Sequence, residues 1–425
     1  MDIILPVYGK IGVAVSGGMD SMALLHCLIE KGADIIVINI EHGIRGAQSK
    51  KDSDFVASFC LKKNIPFMPF AVNTIEESKK TKESIELCAR RLRYEIFDKL
   101  LMQKTVDYIA LAHHADDNAE TILMRILRGT GIRGLKGIRD RQGFIHPLIN
   151  CSRKQIEEYV KLNNIPYVND ATNFSDEYTR NFLRNKVFAA IKERFDNYAE
   201  SFSRLSQNAF EADEFISMNV LPVHENQGEY YIELKDLQKA HGIVKKYTYL
   251  KVFENMGIYQ DIELKHLDYI NELITKENNS SINLPFGIMA IKEYDKLVFC
   301  RDEGPIEDIC LPFDLTKTYV FCDSKYRFVK GDKVLKGISF DAEKIPKDAV
   351  LRNKRDGDIF KRYGGGTKKL NDYLTDIKMP YRHRRKLLVL ASGDQALMIC
   401  GVEISDKIKI DEKTKEIYYI NKETL

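Results

Sequence analysis

Short apolar runs alternate with amphipathic segments through residues 1–170 of the chain. The apolar runs predict strands over residues 11–15, 34–40, 66–72 and 107–112. The segments between them carry apolar residues at helical spacing and predict helices over residues 21–30, 52–63 and 84–103. Parallel strands that are buried on both faces need helices as crossover connections. The pattern therefore predicts an α/β fold with a doubly wound parallel sheet.

The pattern changes after this region. Residues 182–277 are helical and charged without strand–helix alternation, and residues 193–214 fit one long helix. Alternating residues predict a hairpin within 282–299, and residues 349–419 fit short strands, a glycine turn and one central helix. Because 425 residues exceed the usual size of one core, we expect three domains. They are a nucleotide-binding domain at 1–190, a helical connector and middle domain at 191–335, and a small α+β domain at 336–425.

Composition narrows the class of protein. With 44% apolar residues the chain can build cores, yet no stretch approaches the roughly 18 apolar residues that a membrane span needs. The N-terminal segment lacks the basic region and long apolar run of a secretory signal. We therefore expect a cytoplasmic protein without membrane contact. The eight cysteines include no Cys-x-x-Cys pair, which predicts buried thiols and argues against zinc, sulfur-transfer and iron–sulfur chemistry.

Charge is unevenly distributed along the chain. The formal net charge is +3, but residues 352–386 contain twelve Lys and Arg against four Asp. A local excess of this kind is the electrostatic footprint of a nucleic-acid partner, and a solvated charged surface is the alternative.

A glycine-containing segment follows the first predicted strand and opens the first predicted helix. It consists of Ser16, Gly17, Gly18, Met19, Asp20 and Ser21. The glycines let the backbone approach phosphate oxygens, and the serine hydroxyls add donors at a helix N-terminus, where anions bind. A carboxylate beside phosphates is repelled unless a cation intervenes, so Asp20 is expected to hold Mg²⁺. A tight strand-to-helix turn is the alternative explanation of this segment.

An acidic segment, residues 112–121, follows the fourth predicted strand and is expected at the same edge of the sheet. If a helix begins near Asp116, then Asp117, Glu120 and Thr121 share one face. Two carboxylates beside an ATP site suit Mg²⁺ or the ammonium groups of an amino acid. Acidic residues in a first helical turn also stabilise the helix dipole, which is the alternative explanation.

Cationic groups accompany these two segments. Arg90 and Arg93 lie one turn apart in a predicted helix and are placed to neutralise phosphate, although a solvated helix face explains the spacing equally well. Residues 128–135 are too rich in glycine for a helix interior, and we expect a flexible loop that closes over a nucleotide and carries Arg128 and Arg133.

In their order along the chain these segments resemble the tRNA(Ile)-lysidine synthases. The resemblance rests on SGGxDS at 16–21, HGxR at 42–45, ARxxRY at 89–94, AHHADDxAET at 112–121 and RGTGIRGL at 128–135. It continues through Asp170, Asn173, Tyr178, Arg180, Asn181 and Arg184, and then through Arg352, Asn353, Gly357, Asp358 and residues 365–372. SGGxDS alone is shared with other PP-loop N-type ATP pyrophosphatases, whereas the fourth and fifth motifs are far more specific. Departures are small: Asn118 replaces a usual Gln, Glu41 an Asp and His146 an Arg.

The resemblance implies an ATP-dependent ligase that adenylates the wobble cytidine of tRNA(Ile) with a CAU anticodon and then joins free L-lysine to its C2 atom. ATP would contact residues 16–21 and His42, with Mg²⁺ on Asp20. Asp20, Arg93, Asp117 and Glu120 would be catalytic. Lysine and tRNA would be bound by Asp117, Glu120, Arg128, Arg133, Arg180, Arg184, Lys368 and Lys369. The assembly is left open, with a homodimer as one arrangement.

Two other functions remain to be separated from this one. A PP-loop thiolase or amidating synthetase fits poorly, because the chain lacks paired cysteines and a glutaminase segment. A non-catalytic tRNA-binding protein with a nucleotide-sensing fold would form no AMP with tRNA and lysine.

Overall fold

The computed structural model describes residues 3, 5–6, 8–44, 46–168, 179–302, 304, 306–331 and 339–424. The chain divides into two compact units, Met1–Met218 and Asn219–Leu425. Among the residues described, no helix has the length and apolar character needed to cross a membrane. The domain boundaries expected from the sequence at 190 and 335 stay predictions.

The first unit is built on a five-stranded parallel sheet in the order β3-β2-β1-β4-β5. Its strands are β1 (Ile11–Ala14), β2 (Ile35–Glu41), β3 (Phe67–Ala71), β4 (Tyr108–Ala110) and β5 (Phe144–Ile145). The four predicted strands are confirmed to within two residues at each end. The predicted α/β class is confirmed as well. The two-residue β5 is too short for an apolar run to reveal.

Ten helices of the first unit are described, and a π-helical turn, Leu183–Val187, lies between α8 and α9. They are α1 (Met19–Glu30), α2 (Ala47–Lys63), α3 (Thr74–Thr81), α4 (Ile85–Met102), α5 (Ala115–Leu127), α6 (Ile132–Leu135), α7 (Arg153–Leu162), α8 (Thr179–Phe182), α9 (Phe188–Lys192) and α10 (Tyr198–Met218). The single helix predicted over 193–214 begins five residues later, because residues 193–197 form a turn after α9.

Apolar side chains cover both faces of this sheet. On one face α1, α2 and α7 pack their buried residues against Val13 and Val37. On the other face Phe97 and Leu100 of α4 pack against Ile36, Ile38 and Ile109. From β1 the chain runs through β2 to β3 on one side of the sheet, and it then crosses back to β4 and β5 on the other side of β1. The strand order therefore switches direction at the boundary between β1 and β4. Ligands of open parallel sheets bind beyond the carboxyl ends of the strands at such a switch point.

The second unit contains three sheets. The first has the order β6-β7-β10-β9-β8, with β6 (His224–Asn226), β7 (Glu229–Glu233), β8 (Ser281–Leu284), β9 (Ile288–Glu293) and β10 (Lys296–Arg301). One of its faces packs against α11 (Leu234–Lys239), α12 (Gly242–Asn255) and α13 (Leu264–Leu273). The predicted hairpin is confirmed by β9 and β10. Residues 182–277 are mainly helical, as predicted, but they also contain β6 and β7, whose mostly polar residues hide them in the sequence.

The remaining two sheets form the C-terminal part. One contains β11 (Cys310–Pro312), β15 (Val350–Asn353), β16 (Ile359–Lys361), β17 (Thr367–Lys369), β18 (Leu388–Ser392), β19 (Gln395–Ile399) and β20 (Glu403–Ile404). The other has the order β12-β13-β21-β14, formed by β12 (Thr318–Phe321), β13 (Ser324–Lys330), β21 (Ile417–Thr424) and β14 (Ser339–Asp341). Two helices accompany them, α14 (Leu370–Asp376) and α15 (Tyr381–Arg384).

Cysteine burial differs from the prediction at two positions. Six cysteines are buried, whereas Cys310 and Cys322 are exposed. None of the described His, Cys, Asp and Glu residues forms a cluster of three or more that could hold a metal ion by itself.

Candidate active site

The loop after β1 holds its shape through its own hydroxyl groups. Gly17 has a φ of +92°, which favours glycine, and the amide of Gly18 donates to Ser16 Oγ at 3.4 Å. Ser21 Oγ donates to the carbonyl of Gly18 at 2.9 Å, within the first turn of α1. Gly18 caps α1 without a side chain, so no side chain occupies the first free amides of the helix. The loop therefore presents unblocked backbone donors of the kind that bind phosphate.

Asp20 lies in the first turn of α1, and one of its oxygens has no partner. Oδ1 is buried without a hydrogen bond among the described residues. Oδ2 lies 3.4 Å from Arg153 Nη1 and 3.9 Å from His114 Nε2. Burial raises the pKa of Asp20, and the nearby cations only partly offset it. An orphaned, partly desolvated carboxylate oxygen fits a cation brought in with a ligand.

His114 joins the phosphate loop to the acidic helix. It is buried and caps α5, where Nδ1 accepts from the amide of Asp117 at 3.4 Å and Asp117 Oδ2 accepts from the amide of His114 at 3.2 Å. Its Nε2 lies 3.4 Å from Asp117 Oδ2 and 3.9 Å from Asp20 Oδ2. The carboxylates of Asp20 and Asp117, which are 97 residues apart in sequence, therefore converge on one imidazole.

Asp117 and Glu120 face two arginines. Arg184 lies 2.8 Å from Asp117 Oδ1 through Nη2 and 2.6 Å from Glu120 Oε1 through Nε. Arg180 lies 3.1 Å from Glu120 Oε2 and 3.6 Å from Asp117 Oδ1. Burial would raise the pKa of Asp117, but His114, Arg180 and Arg184 outweigh it and hold that pKa below its usual value. The result is a compact group of two anions and two cations at the start of α5.

His42 and Arg93 lie near each other on the β2 side. His42 Nδ1 is 3.2 Å from Thr74 Oγ1, and burial, assisted by Arg93, lowers the pKa of His42 to about 4. His42 is therefore neutral at physiological pH. Arg90 lies over the ring of Tyr94, 4.9 Å from its centroid.

The segment 128–135 differs from the flexible loop that its glycines predict. Residues 132–135 form the short helix α6, and Arg125 fixes this region through the carbonyls of Gly134 and Gly137 at 2.8 and 3.0 Å. Arg133 lies 3.5 Å from Asp213 in α10, whereas Arg128 is exposed at the end of α5. The expected contacts of Arg128 and Arg133 with substrate stay predictions.

Some of the arginines in the basic segment, residues 352–386, are buried or paired with carboxylates instead of facing solvent. Arg352 is 1% exposed and forms a two-pronged ion pair with Asp358, at 3.0 and 2.6 Å. Arg382 binds Glu229 and Glu293, and Arg384 is buried. Lys369 is exposed, and Lys368 is paired with Asp376 on the surface. The net charge read from the sequence therefore overstates the charge that faces solvent.

Three residues that shape the site have no role predicted from the sequence. They are His114, Arg153 and Asp116. Asp116 accepts from the hydroxyl of Tyr198 and from the amide of Arg153 at 2.8 Å, so it ties α5 to α7 and α10. The capping box of Ser152 and Gln155 can be recognised in the sequence and marks the N-terminus of α7. It does not reveal that Asp116 binds the backbone amide at this N-terminus. Arg45, Asp170, Asn173 and Tyr178 lie outside the described residues.

Two of the departures from the family motifs have structural roles. Asn118 accepts from the amide of Ile138 at 2.7 Å, and a Cβ on Gly137 would lie 2.0 Å from the Asn118 Oδ1 atom. His146 lies 3.0 Å from Asp140 through Nδ1 and packs beside the ring of His113.

Comparison with known proteins gives matches over most of the chain. Residues 6–191 match a PP-loop domain, and residues 349–421 match the TilS substrate C-terminal domain. The tRNA(Ile)-lysidine synthase of Caldanaerobacter subterraneus subsp. tengcongensis is 33% identical over 97% of this chain and 93% of its own length. Those of Clostridioides difficile and Parabacteroides distasonis are each 30% identical, over 97% and 96% of this chain and 95% and 94% of their own lengths. On these matches and on the site at the carboxyl ends of its parallel strands, the chain belongs to the tRNA(Ile)-lysidine synthase family, whose PP-loop domain uses ATP.

Proposed function

We propose that the chain joins the ε-amine of lysine to C2 of the wobble cytidine in the CAU anticodon of tRNA(Ile), which changes the codon read from AUG to AUA. The observation that carries this proposal is the convergence of Asp20 and Asp117 on His114 at the switch point of the sheet. It supports the assignment of a phosphate-binding loop and an amine-binding carboxylate to one crevice.

The reaction has two steps. The C2 oxygen of cytidine attacks the α-phosphorus of ATP, and pyrophosphate leaves. The neutral ε-amine of lysine then attacks C2, the bond from C2 to the adenylated oxygen breaks, and AMP leaves with that oxygen. Activation is needed because an amide-like oxygen is a poor leaving group, whereas AMP is a good one.

The phosphates of ATP lie on the loop of residues 16–21. The amides at the start of α1 and the hydroxyls of Ser16 and Ser21 hold them, while Met19 and His42 border the nucleotide. Asp20, whose Oδ1 has no partner among the described residues, would hold Mg²⁺. When bound, Mg²⁺ neutralises phosphate charge, and because it prefers one or two carboxylates together with phosphate oxygens, it needs no cluster of protein ligands. Arg93 neutralises charge on the opposite side.

Lysine binds at the group formed by Asp117, Glu120, Arg180 and Arg184. An amino acid carries both charges, so its ammonium groups suit the two carboxylates and its carboxylate suits the arginines. The lowered pKa of Asp117 makes this carboxylate a better binder of ammonium than an acceptor of protons.

The tRNA binds to two groups of basic residues. Arg128 and Arg133 contact it beside the reacting cytidine, and Lys368 and Lys369 bind its phosphate backbone from the C-terminal part. We place the reaction in the cytoplasm, and light scattering on the purified protein tests whether it forms a homodimer or stays a monomer.

Radiolabelled lysine tests the function directly. The protein is incubated with ATP, Mg²⁺, labelled lysine and unmodified tRNA(Ile) with a CAU anticodon. We expect label in the RNA, together with equal amounts of AMP and pyrophosphate. Asp117→Asn is expected to abolish the transfer of lysine, and Asp196→Asn, at an exposed position outside the site, serves as the matched control. Binding of tRNA without AMP formation would identify a non-catalytic binding protein instead.

A further inference from the structure

The first unit contains a cavity of about 560 Å³ that involves none of the residues of the phosphate loop. Arg139, Asp140 and Asn150 line one side, and α10 lines the other with Ser203, Arg204 and Phe210. Asn118 also lines it and is the neighbour of Asp117 in α5. Ligand pockets commonly enclose about 300–1,000 Å³, so the cavity is large enough for a nucleotide.

The planar guanidinium group of Arg139 lies in the cavity wall and is held in place by its contacts. Its Nε donates to the carbonyl of Lys136 at 3.2 Å, Nη1 donates to Gln207 Oε1 at 3.2 Å, and Nη2 donates to Ser206 Oγ at 3.1 Å. The guanidinium lies over the ring of Phe210, 4.9 Å from its centroid. A planar cation that is held at three nitrogens and backed by a ring is a rigid stacking surface, and unpaired RNA bases stack on such guanidinium planes.

The polar groups at the rim are available to a ligand. Arg204 is exposed, and none of the carboxylates in the described part of the chain lies within ion-pair distance of it. Its guanidinium donates one bond, to Ser201 Oγ at 3.2 Å. Within that same part of the chain, the side chains of Asn150 and Ser203 form no hydrogen bond. The rim thus offers a free cation for phosphate and an amide for the edge of a base.

Asp140 supplies the opposite sign of charge. Its Oδ1 accepts from the backbone amide of His146 at 2.8 Å and lies 3.0 Å from His146 Nδ1. The carboxylate side chain is 64% exposed. A ligand with phosphate alone would be repelled on this side, whereas the exocyclic amine of a base is a suitable donor to Asp140. The lining therefore matches a molecule with a phosphate at one end and an aminated ring at the other.

We propose that this cavity binds an unpaired nucleotide of the RNA substrate, one that neighbours the reacting cytidine in the anticodon loop. The base stacks on Arg139, its edge meets Asn150 and Asp140, and its phosphate meets Arg204. This inference rests on the proposed function, since it assumes that the anticodon loop reaches α5. The cavity would be a second nucleotide-binding site, through which the enzyme recognises a nucleotide of the anticodon loop other than the one that it modifies.

Binding of a fluorescent anticodon stem–loop RNA tests the phosphate contact. Arg204→Ala is expected to weaken binding about tenfold, as for the loss of a hydrogen bond to a charged group. Arg194→Ala removes the same charge from an exposed arginine of the same unit that does not line the cavity, and we expect less than about a twofold change for it. ATP affinity and the melting temperature should stay unchanged in both variants. Equal weakening by the two substitutions would overturn the proposal.

Abasic substitutions test the base contact. One loop position other than the reacting cytidine should lose affinity for the wild-type protein when its base is removed. Asn150→Ala should weaken binding of the intact loop and have no further effect on the loop that lacks that base, since both changes remove one interaction. If every abasic loop shows the same loss in the two proteins, the cavity does not hold a base. Lysine incorporation by the wild-type protein is measured in parallel, so that failure of the proposed function is recognised separately.

Discussion

At the residue scale, the environment of the Asp20 carboxylate favours ligand binding at the expense of the stability of the fold. Its Oδ1 is buried and has no hydrogen-bond partner in the part of the chain that the structure describes, and burial raises its pKa, so the carboxylate costs stability in the free protein. We expect Asp20→Asn to lower AMP formation by about 100-fold or more, because the cation loses its protein ligand. The melting temperature should stay the same or rise. Steady-state kinetics and calorimetry check this, and a variant that kept its activity would remove Asp20 from the metal site.

His113 provides a second prediction at this scale, for stability against pH. Its Nδ1 is buried without a hydrogen-bond partner among the described residues, and burial lowers its pKa from 6.5 to about 4. Between these two values the unfolded chain binds more protons than the folded one, so stability rises with pH in this window and is lost as pH falls. The contribution is about 2 kcal/mol, after allowance for partial exposure.

Denaturant unfolding at several pH values between 4 and 7 measures this slope. His113→Gln should flatten it, while a substitution at the exposed His224 should leave it as it is. A slope that is equal in the wild type and in His113→Gln would contradict the assignment.

At the scale of elements, Asp116 joins three helices. It accepts from the amide of Arg153 at the start of α7 and from the hydroxyl of Tyr198 at the start of α10, while itself lying in the first turn of α5. Removing the hydroxyl of Tyr198 takes one of these two hydrogen bonds from Asp116, whereas removing the charge of Asp116 weakens both of them. We expect Asp116→Asn to destabilise the protein by about 2–3 kcal/mol and Tyr198→Phe by about 1–2 kcal/mol.

The double variant decides whether the two groups act together. Its loss of stability should be smaller than the sum of the single losses by about 1 kcal/mol, the usual size of coupling between groups in direct contact. Strict additivity in urea unfolding would show that the hydroxyl of Tyr198 does not depend on Asp116.

At the scale of the whole molecule, RNA affinity depends on which cations face solvent. Lys369 is exposed, and Lys368 has only a surface pairing with Asp376, so both remain available to phosphates. We expect the double substitution of both lysines by alanine to raise the Michaelis constant for tRNA about fivefold and to leave that for ATP nearly unchanged. The slope of log affinity against log salt should fall by about one to two units, since two phosphate contacts are lost.

A matched pair of exposed lysines, Lys235 and Lys239, serves as the control for this experiment. Their removal subtracts the same charge from the second unit without touching the basic segment. If both double variants change the salt slope equally, the effect is one of net charge and not of a phosphate-binding surface.

The sequence by itself determined the elements whose cause is local. Alternating apolar and amphipathic runs predicted the four strands and their helices to within a few residues, because burial on a sheet imposes a period on neighbouring residues. The capping box at Ser152 and the start of α5 near Asp116 were readable for the same reason, since a helix N-terminus depends on residues three positions apart. The phosphate loop and the acidic helix were expected at one edge of the sheet because they directly follow the first and the fourth predicted strand.

Only the tertiary structure decided which charges meet. Asp117 and Glu120 are neutralised by Arg180 and Arg184, more than 55 residues away, and Arg352, whose charge the sequence counts as available to RNA, is buried against Asp358. The sign of a charge is a property of the residue, whereas its desolvation and its partner depend on segments that the fold brings together. For the same reason the cavity beside α10 has no signature in the sequence: its lining residues come from four separate stretches of chain.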